Sequence, residues 1–476
     1  MALLLVIIPL FIFNILKTKP KPNLPPGPSP WAILRDLRAL TQAPQAKLAD
    51  LAREHGSLFT LRLGPHLTLV ASDSSSAHAV FKTCDRELSG RHVQPSFLNI
   101  KGFVEHSVVW SQPDEYWRKS RRILHAELLS QRMMKSLTLI REKKVVEMVN
   151  GLKDRESDQV LVNIGDVVFQ TMLGLLCELL FSCDLCGLRM TASEFKVEIW
   201  RKKDHRLDGN LLLKRLFESW EGIISERRSS ANNIDHVAAC HHDFLDILLA
   251  AEFTEREINV LLMDIFIAGT DTTTTTIEWA ISELMKNPKA MAKLRQELEE
   301  EVQCPKDGIM MIKESHLPHL HYLHACIKET FRLHPPVPLI SRRALESCEL
   351  LGYQVPKGCL VTVNAWAMGR DPKAWNDPLE FRPERFIDDG KYSSVDQYNN
   401  NYGSDFRLVP FGGGRRVCLG IGLADKMLTL ILASLVHGFE WSLPPGMQPG
   451  DLQMNEIFGL TLKKDPPLLL LPKVRS

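Results

Sequence analysis

The sequence predicts a mainly α-helical protein with a minor β part, and three observations support that class. Long stretches place apolar residues three and four apart, as one face of a helix does: Glu115 to Leu129, Glu255 to Met285, Ala290 to Val302 and Leu320 to Leu333. Strand-like alternation is confined to short runs, Leu58 to Gly64 and Leu67 to Ala71, then Tyr353 to Pro356 and Leu360 to Asn364. The 476 residues are 45% hydrophobic, with no internal repeat and no long flexible linker after residue 30. That predicts one continuous domain over 31–476 with a sizeable core.

Met1 to Leu16 is almost wholly apolar and is followed by Lys17, Lys19 and Lys21. A spanning helix needs about 20 apolar residues, a shortfall that thin membranes and snorkelling lysines accommodate. No basic residue precedes the run and no small-x-small site follows it, so residues 1–16 read as a retained membrane anchor. The lysines predict that the C-terminal side stays cytosolic. Residues 17–30 read as a basic, stiff hinge, with six prolines between Lys19 and Pro30.

The runs flanking Gly64-Pro65 predict a β-hairpin. Asn287-Pro288 stops the helix from Glu255, and His334-Pro335-Pro336 stops the one from Leu320. Within the first, Asp264 to Glu283 carries threonine at 270 and at 272 through 276. Threonine hydroxyls bond back to the preceding turn and loosen a helix. Asp271 and Thr272 set an acid beside an alcohol, a pairing suited to moving protons, whereas Thr273 to Thr276 read as structural. Glu329 and Arg332 are three apart and share a helix face.

The segment from Phe411 to Gly420 ends a glycine-rich, doubly basic loop with Cys418, just before the apolar run from Ile421. Positive charge and a helix N-terminus both favour the thiolate, the metal-binding form of cysteine. The glycines, Gly414 and Gly420 among them, would let the backbone approach a large flat ligand, and Arg416 would meet an anionic group on it. That combination suits a cysteine-ligated haem. The ten cysteines show no disulfide framework, as in a reducing compartment. Cys183 and Cys186 have metal spacing but lack a partner pair. A net charge of +1 gives no reason to expect a nucleic-acid partner.

The spacing of Phe411, Gly414, Arg416, Cys418 and Gly420 resembles the haem-ligand signature of the cytochrome P-450 superfamily. Ala268 to Thr272 resembles the family's oxygen-activating helix, Glu329 to Arg332 its Glu-x-x-Arg pair, and Pro383 to Phe386 its Pro-x-Arg-Phe element. The likeness runs in family order from Leu24 to Thr461. It implies the cytochrome P-450 fold and haem b with Cys418 as axial ligand of the iron. It also implies dioxygen chemistry fed by NADPH through a separate reductase, NADPH-cytochrome P-450 reductase. The implied location is the endoplasmic reticulum membrane, catalytic domain on the cytosolic side.

For residues, the resemblance implies a buried structural triad of Glu329, Arg332 and Arg385. It implies propionate contacts from Arg416, from Trp117 and Arg121, and from Arg342 or Arg343. Arg118, Lys119 and Arg122 extend a basic face that would also dock an acidic reductase. Arg342 to Cys348 resembles a plant branch that oxidises benzylisoquinoline and tropane alkaloids. The implied substrate is a small hydrophobic plant metabolite, with aromatic hydroxylation, phenol coupling or skeletal rearrangement as reactions. The alternatives are a terpenoid monooxygenase, a reductase-independent haem-thiolate isomerase and an inactive haem-binding protein. Substrate contacts are expected from the loop His92 to Trp110, the helix face near Phe266 and Ala268, Val337 to Ile340 and Ile457 to Leu460, with core packing the alternative at each apolar position. The chain departs from the family in a one-residue shortening before Arg342, in Ser341 where proline is usual, and in a short Phe181 to Arg227 lid region.

Overall fold

The computed structural model describes residues 23–63, 66–93, 102–156, 160–183, 209–231, 243–302, 311–387 and 406–475. The expected anchor, the Gly64-Pro65 turn and Cys186 lie outside the described residues. The described strands are β1 (Leu58–Leu63), β2 (His66–Ala71), β3 (Val162–Asn163), β4 (Leu339–Arg343), β5 (Cys348–Leu350), β6 (Tyr353–Val355), β7 (Leu360–Asn364), β8 (Phe439–Ser442), β9 (Asn455–Ile457), β10 (Lys463–Asp465) and β11 (Leu469–Val474). The longer helices are α1 (Glu115–Ile123), α2 (Thr138–Glu156), α3 (Ile164–Phe181), α4 (Gly209–Ala231), α5 (Glu255–Lys286), α6 (Pro288–Glu301), α7 (His321–Leu333) and α8 (Ile421–Gly438).

Helix α5 is the axis of the protein. Its 32 residues span about 48 Å at 1.5 Å per residue. Thr254 and Glu257 close a capping box at its start, with Thr254 N–H donating to Glu257 Oε2 at 2.7 Å. Glu255 and Glu257 complement the positive end of the helix and Lys286 the negative end. Around it pack α3, α4, α7 and α8, and these form the main hydrophobic core. Among the described helices, α3 and α8 are apolar enough and long enough to cross a membrane. More than three-quarters of each lies buried in the protein, so both are core helices.

The largest sheet has the order β1-β2-β7-β4. Strands β1 and β2 form the expected antiparallel hairpin, β2 runs parallel to β7, and β7 is antiparallel to β4. Ser341, the residue in place of the usual proline, sits within β4 opposite Thr362, and their hydroxyls bond at 3.0 Å. From Asn23 onward the proline-rich segment lies against this part of the body. Asn23 O accepts from Gln354 N–H at 3.0 Å, Pro26 O accepts from Thr60 N–H at 2.7 Å, and a Cβ on Gly27 would fall 1.9 Å from Thr60 O. The described part of the expected hinge is therefore docked. Prolines suit it because an extended segment of this kind gives up few backbone N–H groups.

Candidate functional site

The loop from Phe411 to Gly420 bridges the main core and the cluster around the sheet. Phe411 packs edge-on against Phe331 of α7 at 5.4 Å, and Cys418 N–H donates to Phe411 O at 3.1 Å. Gly412 and Gly414 have φ of +69° and +65°, a region only glycine enters freely. A Cβ on Gly414 would lie 2.0 Å from Asp85 Oδ1, and one on Gly413 2.8 Å from Phe81 Cβ. These glycines are therefore required by protein neighbours, where the sequence suggested close approach to a ligand. Gly420 differs, with an ordinary φ of −83° and a position whose added Cβ would face Cys418 Sγ at 3.9 Å.

Cys418 lies three residues before the first residue of α8 and is accessible, although protein atoms crowd around it. Burial pushes its thiol up, while the Gly420 N–H and the Arg121 guanidinium pull it back toward the thiolate. On α5, Ala268 is likewise exposed, in the middle of a helix whose other exposed residues lie near its ends. Thr272, one turn on, is half-buried and donates to Ala268 O at 2.6 Å. Asp271 turns to another face. One carboxylate oxygen accepts from Thr461 Oγ1, and the other pairs with Lys463 Nζ at 3.0 Å. The acid and alcohol that adjoin in sequence thus diverge in space, because neighbouring helix positions are about 100° apart.

Four arginines gather near Cys418. Arg416 Nε, Nη1 and Nη2 donate to the carbonyls of Ser89, Val108 and Ser111 at 2.8, 3.4 and 2.6 Å. Trp117 lies between Arg416 and Arg121, at 4.4 and 5.0 Å from their guanidinium carbons, and its indole N–H donates to Val108 O. Arg121 donates to Val417 O at 3.0 Å, next to the cysteine. Arg342 is buried and donates to Gly413 O at 3.2 Å, whereas Arg343 faces outward. The alternation of β4 decides between these two. The fourth is Arg91, which the sequence reading missed; it follows Gly90, whose bridge to Arg343 leaves no room for a Cβ.

Among the described residues none of these four arginines forms an ion pair, and the buried Nε of Arg91 has no hydrogen-bond partner. Burial first, then mutual repulsion, lowers Arg91 to about 10 and Arg416 to about 9, and holds Arg342 well down. Buried cations without acids are costly unless an anion joins them. The cluster beside an accessible cysteine fits a thiolate-bound ligand carrying carboxylates.

Asp264 fastens the loop that supplies those carbonyls. Its carboxylate accepts from Ser107 Oγ at 2.9 Å and from Val108 N–H at 2.6 Å. Burial pushes it up to about 7, only partly offset by the bonds from Ser107, Val109 and Val108. With an ordinary carboxyl near about 3.9 in the unfolded chain, the native state holds a proton that the unfolded state has released. Stability from this group is therefore greatest in acid and falls as pH rises from about 4 to about 7. Asp264→Asn should remove that slope and cost about 1–3 kcal/mol. Urea midpoints at about pH 5 and about pH 7.5 check this, and an unchanged slope would refute it.

Glu329 and Arg332 are both fully buried, with Arg332 Nε 2.7 Å and Nη2 2.8 Å from the carboxylate. Arg385 Nε adds a contact at 2.9 Å, so the expected triad forms. Phe266 stacks on Trp220 at 5.5 Å, which is the core alternative for that position.

The family model described as Cytochrome P450 matches residues 25–204 and 195–471, and its break falls inside the Phe181 to Arg227 stretch. "Probable (S)-N-methylcoclaurine 3'-hydroxylase isozyme 2" of Coptis japonica is 43% identical over 98% of this chain and 96% of its own length. "(S)-N-methylcoclaurine 3'-hydroxylase isozyme 2" of Eschscholzia californica is 42% identical over 100% and 99%. Among solved structures, a zebra fish cytochrome P450 with abiraterone superposes with a TM-score of 0.73 at 26% identity, covering 91% of this chain and all of that one.

Proposed function

The chain belongs to the cytochrome P450 family, and from that premise we propose that it is a membrane-anchored monooxygenase that hydroxylates a benzylisoquinoline alkaloid. As a family member it is a haem enzyme that draws electrons from a redox partner and acts on a small substrate. The single observation that carries the site assignment is the accessible Cys418 beside four arginines, two buried and two half-buried, that form no ion pair among the described residues. Cys418 would hold the iron of haem b as thiolate, with Arg121 and the Gly420 N–H stabilising its charge. Arg91, Arg342 and Arg416 would meet the propionates, Trp117 keeping two of the cationic side chains in place. When bound through a thiolate, haem supplies activation of dioxygen for insertion of one oxygen atom.

Thr272 would hand a proton toward the substrate side of α5, resupplied by Asp271 when its carboxylate swings from Thr461 and Lys463 toward that side. Lys463, one-third exposed, links Asp271 to solvent. Lys463→Met should therefore lower product formed per NADPH several-fold while haem content stays constant, and Lys463→Arg should restore it. Equal coupling in all three proteins would sink this role.

NADPH through NADPH-cytochrome P-450 reductase is the proposed electron route. Residues 1–16 are the proposed anchor in the endoplasmic reticulum, with the body on the cytosolic side. The identity to alkaloid hydroxylases favours this substrate class over a terpenoid. The deciding experiment supplies the full chain with reductase, NADPH and a panel of benzylisoquinolines, and looks for a hydroxylated product by mass spectrometry. Turnover without NADPH would indicate the isomerase reading. Haem binding with no turnover would indicate an inert protein.

A further inference from the structure

A second charged site lies on the opposite side of β4 from the haem arginines. Side chains alternate along a strand, so Arg342 enters the interior while Arg343 borders an outer cavity of about 560 Å³. His66 at the start of β2, His92, Lys357 and Gln112 share the lining of that cavity. Four of these five side chains are basic, and no aspartate or glutamate lines the cavity. The adjoining stretches 64–65 and 94–101 contain no acid either.

The basic groups have few alternatives within the protein. Among the described residues, neither Arg343 nor Lys357 has a side-chain partner, and both are exposed. Among the described residues, the rings of His66 and His92 meet each other, with centroids 6.1 Å apart. Gly358, at φ +83°, brings the turn after β6 to within 3.9 Å of Arg343 Nη2, measured from an added Cβ, so Lys357 and Arg343 converge. His92 is held down first by burial, and then by the neighbouring His66 and Arg343. Gln112 fixes the inner wall: its Oε1 accepts from Arg91 N–H at 3.3 Å and its Nε2 donates to Arg91 O at 3.1 Å.

We propose that this cavity binds a phosphate-bearing anion, held by the Arg343 fork and Lys357 and flanked by His66 and His92. Guanidinium and ammonium groups around one hollow match the charge and the several acceptor oxygens of a phosphate. Two sources present that chemistry. A lipid headgroup suits the position, because Asn23, which follows the expected anchor and basic stretch, bonds Gln354 of β6, two residues before Pro356 of the cavity lining. Free phosphate is the other.

The full chain, purified with haem in a neutral detergent, is titrated by calorimetry with inorganic phosphate and separately with dihexanoyl phosphatidic acid below its micelle concentration. One-to-one binding of either probe is expected, with affinity lowered tenfold or more by Arg343→Gln and also by Lys357→Gln, which lies on an exposed turn. Circular dichroism confirms that each variant is folded. Tighter binding of phosphatidic acid identifies a lipid headgroup site, and equal or tighter binding of inorganic phosphate identifies a free-anion site. Absence of one-to-one binding by both probes, or undiminished binding by both folded variants, overturns the proposal.

Discussion

Replacing Glu329 by glutamine is expected to destabilise the protein by about 3–5 kcal/mol, the cost of breaking a buried ion pair from one side. Glu329 and Arg332 have no solvent exposure, and water cannot compensate a missing partner. The carboxylate also accepts from Arg385 Nε and from Arg382 N–H at 2.8 Å. A carboxamide would turn an N–H₂ toward donors and leave two guanidiniums sharing one acceptor. Both arginines further bind loop carbonyls: Arg332 reaches Gly369, Pro378 and Glu380, and Arg385 reaches Asn376 at 2.9 Å. Loosening them would release the segment from Gly369 to Phe386, including Trp375 and Phe386, which pack together at 5.7 Å. Against a total of about 5–15 kcal/mol for a typical protein, that loss empties most of the folded population at physiological temperature. Thermal and urea unfolding with soluble yield measure it. A variant within about 1 kcal/mol of the parent would show that the pair is no better than an exposed one.

Replacing Cys418 by serine is expected to abolish the thiolate-shifted Soret band of the reduced carbon monoxide complex, and with it turnover. The hydroxyl is nearly isosteric, and the loop is held independently by Gly414 against Asp85 and by Arg415 N–H donating to Asp85 Oδ1 at 2.7 Å. Stability should therefore change little while the spectrum changes completely. This separates ligation from folding, which the Glu329 variant does not. Retention of the shifted band in folded Cys418→Ser protein would exclude this cysteine as the iron ligand.

Helix existence was legible wherever periodicity and stop signals coincided. The helix expected to end at Asn287-Pro288 does so, and the one before His334-Pro335 ends at Leu333. The π-helical segment Leu124–Leu128 that prolongs α1 was covered by the same apolar pattern. By contrast α3 was not foreseen: 15 of its 18 residues are buried, so it lacks a polar face and leaves no periodic signature. Strands β8 and β11 were missed because they pair across long sequence separations, β11 with both β3 and β8, and β9 and β10 because each is only three residues long.

At the site, motif spacing determined Cys418, Arg416 and the Glu329–Arg332 pair, because each depends on residue type at a local separation. His334, read only as a helix stop, stacks on Trp279 at 3.9 Å and bonds Glu283 Oε1 at 2.7 Å, which joins α7 to α5. No local pattern announces such a contact. By itself the sequence determined the mainly helical class, the glycine-rich loop around Cys418 and the family resemblance, all set by short-range spacing. Tertiary structure alone decided that Arg342 rather than Arg343 turns inward, that Arg91 joins the cationic cluster, and that Asp271 faces Lys463 while Thr272 faces accessible space. Those outcomes depend on burial, strand pairing and helix rotation against distant segments, and charge in a low-dielectric interior is settled only by what the fold brings beside it.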